Sequence, residues 1–130
     1  MVLDTSALLA ILFREPEAAC LARAIAEDPR RLACAFTLLE AGIVVEARKG
    51  EAGSRELDLL FHRIGAECIP LTASVVEVAR DAWRRFGRGR HPAGLNVGDC
   101  CAYAVSRISG ESLLFKGDNF SRTDVSAAPY

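Results

Sequence analysis

The chain has 130 residues, of which 51% are apolar, and a formal net charge of −1. That is one domain's worth of sequence with enough apolar content for a core, so a single domain over residues 1–130 is expected. The near-neutral balance excludes holding nucleic acid by bulk charge, and any such contact must use a local patch. No stretch reaches the roughly 18 apolar residues of a membrane span.

In chain order, Met1-Val2-Leu3 is a short apolar strand that stops at Asp4-Thr5-Ser6. A helix follows over Ala7–Phe13, and a second runs from Glu15-Pro16-Glu17 to about Glu27 before Asp28-Pro29 ends it. Proline and acids suit a helix's first turn, and the residue before proline is driven out of helical conformation. Arg31–Phe36 reads as a second strand, and Thr37-Leu38-Leu39-Glu40 opens a helix to about Lys49. Leu57, Leu60, Phe61 and Ile64 then repeat at helical spacing across 54–64. Glu67–Leu71 is a brief strand that Pro70 places at an edge or a strand end. The stripe Val75, Ala79, Ala82 and Phe86 marks a helix over 72–86, and 87–94 is a Gly-rich loop. A last helix spans 95–109 and is closed by Gly110; Ser112–Phe115 is a strand. The alternation predicts an α/β fold with helices on both faces of a small, mainly parallel sheet of four to five strands.

The five cysteines include no Cys-x-x-Cys pair and fit a reducing compartment, so a cytoplasmic protein is expected. The N-terminal apolar run carries Asp4 and is cut by Arg14, unlike a signal peptide.

Four acids fall at strand ends or helix starts: Asp4, Glu40, Asp99 and Asp118. In an open parallel sheet those junctions share one edge, where ligands bind. Each acid also has a local structural reading. Asp4 can cap the first helix, Thr37-x-x-Glu40 and Asn96-x-x-Asp99 have the shape of capping boxes, and Asp118 sits in a Gly-Asp-Asn turn. Caps alone give no reason for an acid at every junction. Four like charges together are unfavourable unless neutralised, and a hard divalent cation such as Mg²⁺ or Mn²⁺ would do so. Such an ion would also activate water against a phosphodiester.

Val2-Leu3-Asp4-Thr5-Ser6-Ala7-Leu8, Thr37-Leu38-Leu39-Glu40, Asn96-Val97-Gly98-Asp99-Cys100 and Phe115-Lys116-Gly117-Asp118-Asn119-Phe120 resemble the successive motifs of PIN-domain nucleases. The likeness is greatest to VapC-type toxins of bacterial type II toxin–antitoxin pairs. The resemblance implies a three-layer α/β/α domain and a Mg²⁺- or Mn²⁺-dependent endoribonuclease. It also implies a homodimer and a cognate antitoxin partner. Carried over by position, Asp4, Glu40, Asp99 and Asp118 would be the catalytic, metal-binding acids. Thr5, Ser6, Asn96 and Asn119 would support them. Many relatives have a second acid where this chain has Asn119, so one metal or two is left open.

Arg84, Arg85, Arg88, Arg90 and His91 form a basic stretch that is a candidate for RNA backbone contact. Leu9, Leu12, Phe13 and Leu21 are candidates for antitoxin contact, with core packing as the competing reading. Two rival functions compete with this reading. A phosphotransferase on a similar sheet would need a second acid where Ser6 stands, or a phosphoacceptor near Pro70-Leu71, although Lys116 stands where a receiver's lysine could. A PIN-like binding module without strong catalysis would separate from an enzyme by its metal affinity.

Overall fold

The computed structural model describes all residues, 1–130. Four short strands, β1 (Val2–Leu3), β2 (Leu32–Cys34), β3 (Glu67–Ile69) and β4 (Leu113–Leu114), form one sheet in the order β3-β2-β1-β4. Every pair is parallel, with Val2 beside both Leu32 and Leu113. Pro70 follows β3, which is an edge strand as its proline requires. The expected further strand is a single bridge, Ala127 to Leu113.

The chain steps outward from β1 to β2 to β3, then returns to place β4 on the other side of β1. That reversal is where an open parallel sheet makes its crevice, at the carboxyl ends of β1 and β4. Side chains alternate across the strands. Val2, Leu32, Cys34 and Leu113 face helices α4 (Ala73–Phe86) and α5 (Val97–Ser109). Leu3, Ala33 and Leu114 face α1 (Thr5–Leu12) and α2 (Ala18–Glu27). Burial on both sides explains why the strands are continuously apolar. This is the three-layer arrangement expected. No helix is long and apolar enough to cross a membrane.

Helix α3 (Ala35–Arg63) departs from the sequence reading at its start, while its break at Gly50 falls where the helix opened at Thr37 was expected to end. It starts two residues before Thr37, with Cys34 at the cap and no capping side chain. The strand before it is correspondingly shorter. Thr37 therefore lies inside the helix, on the buried stripe with Ala41 and Val45, and its hydroxyl has no partner. Gly50 interrupts α3 at φ 64°, ψ −161° and divides it into two arms. The arms close on Gly53, where an added Cβ would lie 2.6 Å from Lys49 Cβ and 2.7 Å from Val45 Cγ1. Gly53→Ala is expected to lower stability by about 1–3 kcal/mol, the usual cost of overpacking, despite alanine's better helix propensity. Thermal unfolding would check this, and an unchanged melting temperature would mean that the arms separate freely.

Candidate active site

Asp4 leaves β1 as the N-cap of α1 and is only 4% exposed. The Ser6 N–H and Oγ–H donate to its Oδ2 at 2.9 and 2.5 Å, and the Lys116 N–H, just after β4, donates to Ser6 Oγ at 2.9 Å. Three hydrogen bonds through Ser6 thus tie the ends of β1 and β4 to one carboxylate. Oδ1 of Asp4 receives no protein donor.

Because α3 begins at Ala35, Glu40 sits in its second turn and is not a capping residue. Its Oε2 accepts the Thr5 hydroxyl at 2.6 Å, and its Oε1 receives no protein donor. The carboxylate lies against Gly98 on the first turn of α5. A Cβ on Gly98 would fall 2.5 Å from Glu40 Oε2. Unpaired N–H groups at a helix start favour negative charge there.

Asp99 keeps the expected capping box. It accepts from the Asn96 N–H at 2.9 Å, and Asn96 Oδ1 accepts from the Asp99 N–H at 2.8 Å. Burial raises its pKa, Glu40 adds to the rise, and Asn96, Asn119 and the Arg88 charge oppose it. Burial likewise raises Asp4. The two Ser6 bonds oppose, the Asp99 and Glu40 charges add, and the carboxyl ends at about 6. Three acids far apart in sequence therefore act on one another at a single edge.

The remaining candidates divide. Asp118 is exposed, its side chain makes no hydrogen bond or ion pair, and it is not among the charges that shift Asp4 or Asp99. Gly117, at φ 101°, turns the chain there, and the Asn119 side chain beyond it helps to lower the Asp99 pKa. In the basic stretch, Arg88 acts on Asp99, Arg84 is exposed beside Asp81 at 3.7 Å, and Arg90 lies over Trp83 at 4.3 Å. Arg85 is otherwise engaged. It donates to Asp124 at 2.6 Å, and the Tyr103 hydroxyl donates to the same carboxylate at 2.6 Å. This pins the C-terminal segment to α4 and α5. His91 is also committed locally, with Nδ1 accepting from the Ala93 N–H at 3.1 Å and its ring edge-on to Phe86. Lys116, the one feature favouring a phosphotransferase, is paired with Glu15 at 2.5 Å and Glu17 at 3.0 Å.

Two of the four antitoxin candidates are corrected. Leu21 and Leu12 are buried, in contact with Ile25 and α1 on one side and with α3 on the other, and present no surface to a partner. Leu9 and Phe13 are half-buried against α3. Exposed apolar side chains lie instead on α3, at Leu39 and Ile43.

Sequence reasoning missed Gly98 and Thr5's partner. The signal for Gly98 was present, since a glycine inside the first turn of a helix, between Asn96 and Asp99, calls for a reason such as close approach.

The PIN domain family profile matches residues 1–126. A ribonuclease VapC of Mycolicibacterium smegmatis is 52% identical over 127 residues, covering 98% of each chain. Ribonuclease VapC30 of Mycobacterium tuberculosis is 48% identical over 125 residues, covering 96% of this chain and 95% of the relative. Among solved structures, VapC20 of Mycobacterium tuberculosis, a sarcin–ricin-loop-cleaving toxin, superposes with a TM-score of 0.79 at 17% identity, covering 95% of each chain. VapBC2 of Rickettsia felis superposes with a TM-score of 0.75 at 16% identity, covering 97% of this chain and 94% of that one. At those identities the structural likeness speaks to the fold.

Proposed function

The chain belongs to the PIN-domain family, among the VapC ribonucleases, and on that footing we propose that its Asp4–Glu40–Asp99 edge is a divalent-cation-dependent endoribonuclease site. The observation that carries this is the meeting of Asp4, Glu40 and Asp99 at one edge, where Asp4 is only 4% exposed and burial, with the two neighbouring carboxylates adding and the Ser6 bonds opposing, leaves its carboxyl at about 6. A folded chain that gathers like charges in a dry place leaves them short of positive charge.

The donors suit a hard ion. They are carboxylate oxygens, and Asp4 Oδ1 and Glu40 Oε1 are without protein donors. No three acid, histidine or cysteine side chains are gathered tightly enough to enclose an ion as they stand, so the acids would have to draw together on it. Mg²⁺ or Mn²⁺, when bound, supplies a lowered water pKa and a polarised phosphoryl oxygen. The protein's own groups do the positioning. Ser6 holds Asp4, Thr5 holds Glu40, and Asn96 holds Asp99. Arg88 brings a positive charge to the same edge, where a substrate phosphate would meet it. Asp118 is left outside this assignment. The biological role proposed is that of the toxin of a type II pair, working as a homodimer and held inactive by a protein antitoxin. Solved toxin–antitoxin complexes among the structural neighbours support the partner.

The test is cleavage of total cellular RNA by the purified protein with Mg²⁺, with EDTA, and as Asp99→Asn. Discrete fragments from the Mg²⁺ reaction alone are expected, with the variant slower by on the order of 10²–10³-fold, the scale for loss of one charge-stabilising group. Cleavage that survives both EDTA and the substitution would place the chemistry elsewhere. If there is neither cleavage nor calorimetric Mg²⁺ binding, the chain is a binding module on this fold.

A further inference from the structure

Tyr103 is only 1% exposed, yet its hydroxyl serves none of the acids of the proposed site. It belongs to a closed triangle of hydrogen bonds. The Tyr103 O–H donates to Asp124 Oδ1 at 2.6 Å, Arg85 Nη2 donates to Asp124 Oδ2 at 2.6 Å, and Arg85 Nη1 donates to the Tyr103 hydroxyl at 3.3 Å. Each corner comes from a different part of the chain. Arg85 stands on the last turn of α4, Tyr103 in the middle of α5 and Asp124 in the segment after β4. The ring of Phe86 backs the triangle, with the Arg85 guanidinium 4.6 Å from its centroid. The Tyr103 bond and then the Arg85 bond hold the Asp124 carboxyl below its ordinary pKa, with burial opposing them.

Fastening the C-terminal residues does not explain this clamp. They are already held on β4, where the Leu113 N–H donates to Ser126 O at 2.8 Å and the Ala128 N–H donates to Leu113 O at 2.9 Å. What the clamp adds is a grip on the loop in between, residues 115–125. That loop starts at the acidic edge, because the Lys116 N–H donates to Ser6 Oγ and Ser6 holds Asp4. Its tip, Gly117-Asp118-Asn119, is exposed, and a segment that buries so little depends on fixed points for its order. Three are present. Phe120 is buried against Phe115 with ring centroids 5.0 Å apart, Arg122 donates to Pro92 O at 3.2 Å, and Asp124 makes the clamp.

Two of these points reach the same neighbour. Arg85 stands just before the 87–94 loop, and Pro92 and Arg88 lie within it. Two loops therefore flank the acids, one carrying Arg88 and the other Asp118 and Asn119. Asp99 responds to both, since Asn119 and Arg88 each oppose the rise in its pKa. Groups that orient a substrate lose on the order of 10²-fold in rate when displaced by about 1 Å. We propose that Asp124 is a positioning residue for RNA cleavage: by gripping Arg85 and Tyr103 it fixes the 115–125 loop against the 87–94 loop, and so fixes the frame in which the RNA backbone meets Asp99. The proposal rests on the acids being an RNA-cleaving site. Asp124 touches no reacting group and acts through the loop.

Removing Asp124 alone would leave a buried phenol without its acceptor, which lowers stability for a separate reason. The decisive variant pairs Asp124→Ala with Tyr103→Phe and removes both partners. Initial rates of fragment formation from total cellular RNA, at rising RNA concentration with Mg²⁺, are measured well below the melting temperature of either protein. Hydrogen exchange of the same full-length proteins is followed by mass spectrometry. The double variant should lose on the order of 10²-fold in kcat with KM changed far less, and should exchange faster across 116–123 while α5 stays protected. Tyr103→Phe alone keeps the Arg85–Asp124 bond and should recover most of the rate. A double variant with wild-type kcat, or with faster exchange confined to 124–130, means that Asp124 only fastens the C-terminal residues; either result overturns the proposal and spares the nuclease. No cleavage by the wild type overturns both.

Discussion

Asp4→Asn is expected to make the metal-free protein more stable at pH 7.5 while removing RNA cleavage. The folded-state pKa of Asp4 is about 6, above the ordinary 3.8. Between those values the folded chain holds a proton that the unfolded chain has released, so stability falls as pH rises through this window. At about 1.4 kcal/mol per pH unit, the step from 3.8 to about 6 makes the fold about 3 kcal/mol weaker at pH 7 than below pH 3.8 from this one group. Asparagine cannot ionise, yet its Oδ1 can still accept from Ser6. Melting temperatures of the two proteins in EDTA should therefore converge near pH 4 and separate at pH 7.5, with the variant higher. Mg²⁺ should raise the wild-type value at pH 7.5 by mass action and leave the variant's nearly unmoved. A variant that melts lower at every pH would mean that the Asp4 carboxylate is a structural cap with no repulsion to relieve.

Gly98→Ala is expected to cost activity out of proportion to its size. The methyl would fall 2.5 Å from Glu40 Oε2 and 2.9 Å from both Cδ and Oε1. The obstacle is the far end of a flexible side chain, so Glu40 can swing away and the fold can absorb the change. Alanine is also better than glycine inside a helix by about 0.8–1.0 kcal/mol, which offsets part of any strain. Stability should then shift by less than about 1 kcal/mol, while kcat/KM falls on the order of 10²–10³-fold as Glu40 leaves its place between Thr5 and α5. Circular dichroism melting and RNA cleavage measured together would check the split. Wild-type cleavage by Gly98→Ala would show that Glu40 is not required where it stands.

Much of the site's local scaffold was legible because capping is local chemistry. Asp4 ahead of an apolar helix, Asn96 three residues before Asp99, and Gly110 after Ser109 are all read from neighbours within four positions, and all three hold. Glu40 was legible as an acid near a strand end, but its capping role was not borne out. The helix begins at Cys34–Ala35, where no side-chain oxygen marks the cap, so nothing local displays the start. That early start is what turns Thr37 inward and leaves Glu40 free to meet Thr5.

Other residues were decided by partners far away in the chain. Arg85 reads as one of a basic stretch open to RNA, and only the fold brings it to Asp124 and Tyr103 as one hydrogen-bonded group. Leu12 and Leu21 read as a thin helical stripe, and only the packing of α1 between the sheet and α3 settles that they are core.

The alternation of strands and helices, the parallel sheet it implies and the acids at its junctions can be read along the chain, because periodicity, caps and turn residues act over a few positions. Which acids interact depends on how distant segments pack. Placing β4 beside β1 ties Lys116 through Ser6 to Asp4, and packing α5 against α3 sets Gly98 under Glu40. Those are contacts between segments scores of residues apart, whose energies depend on distance and burial, and neither quantity exists until the chain has folded.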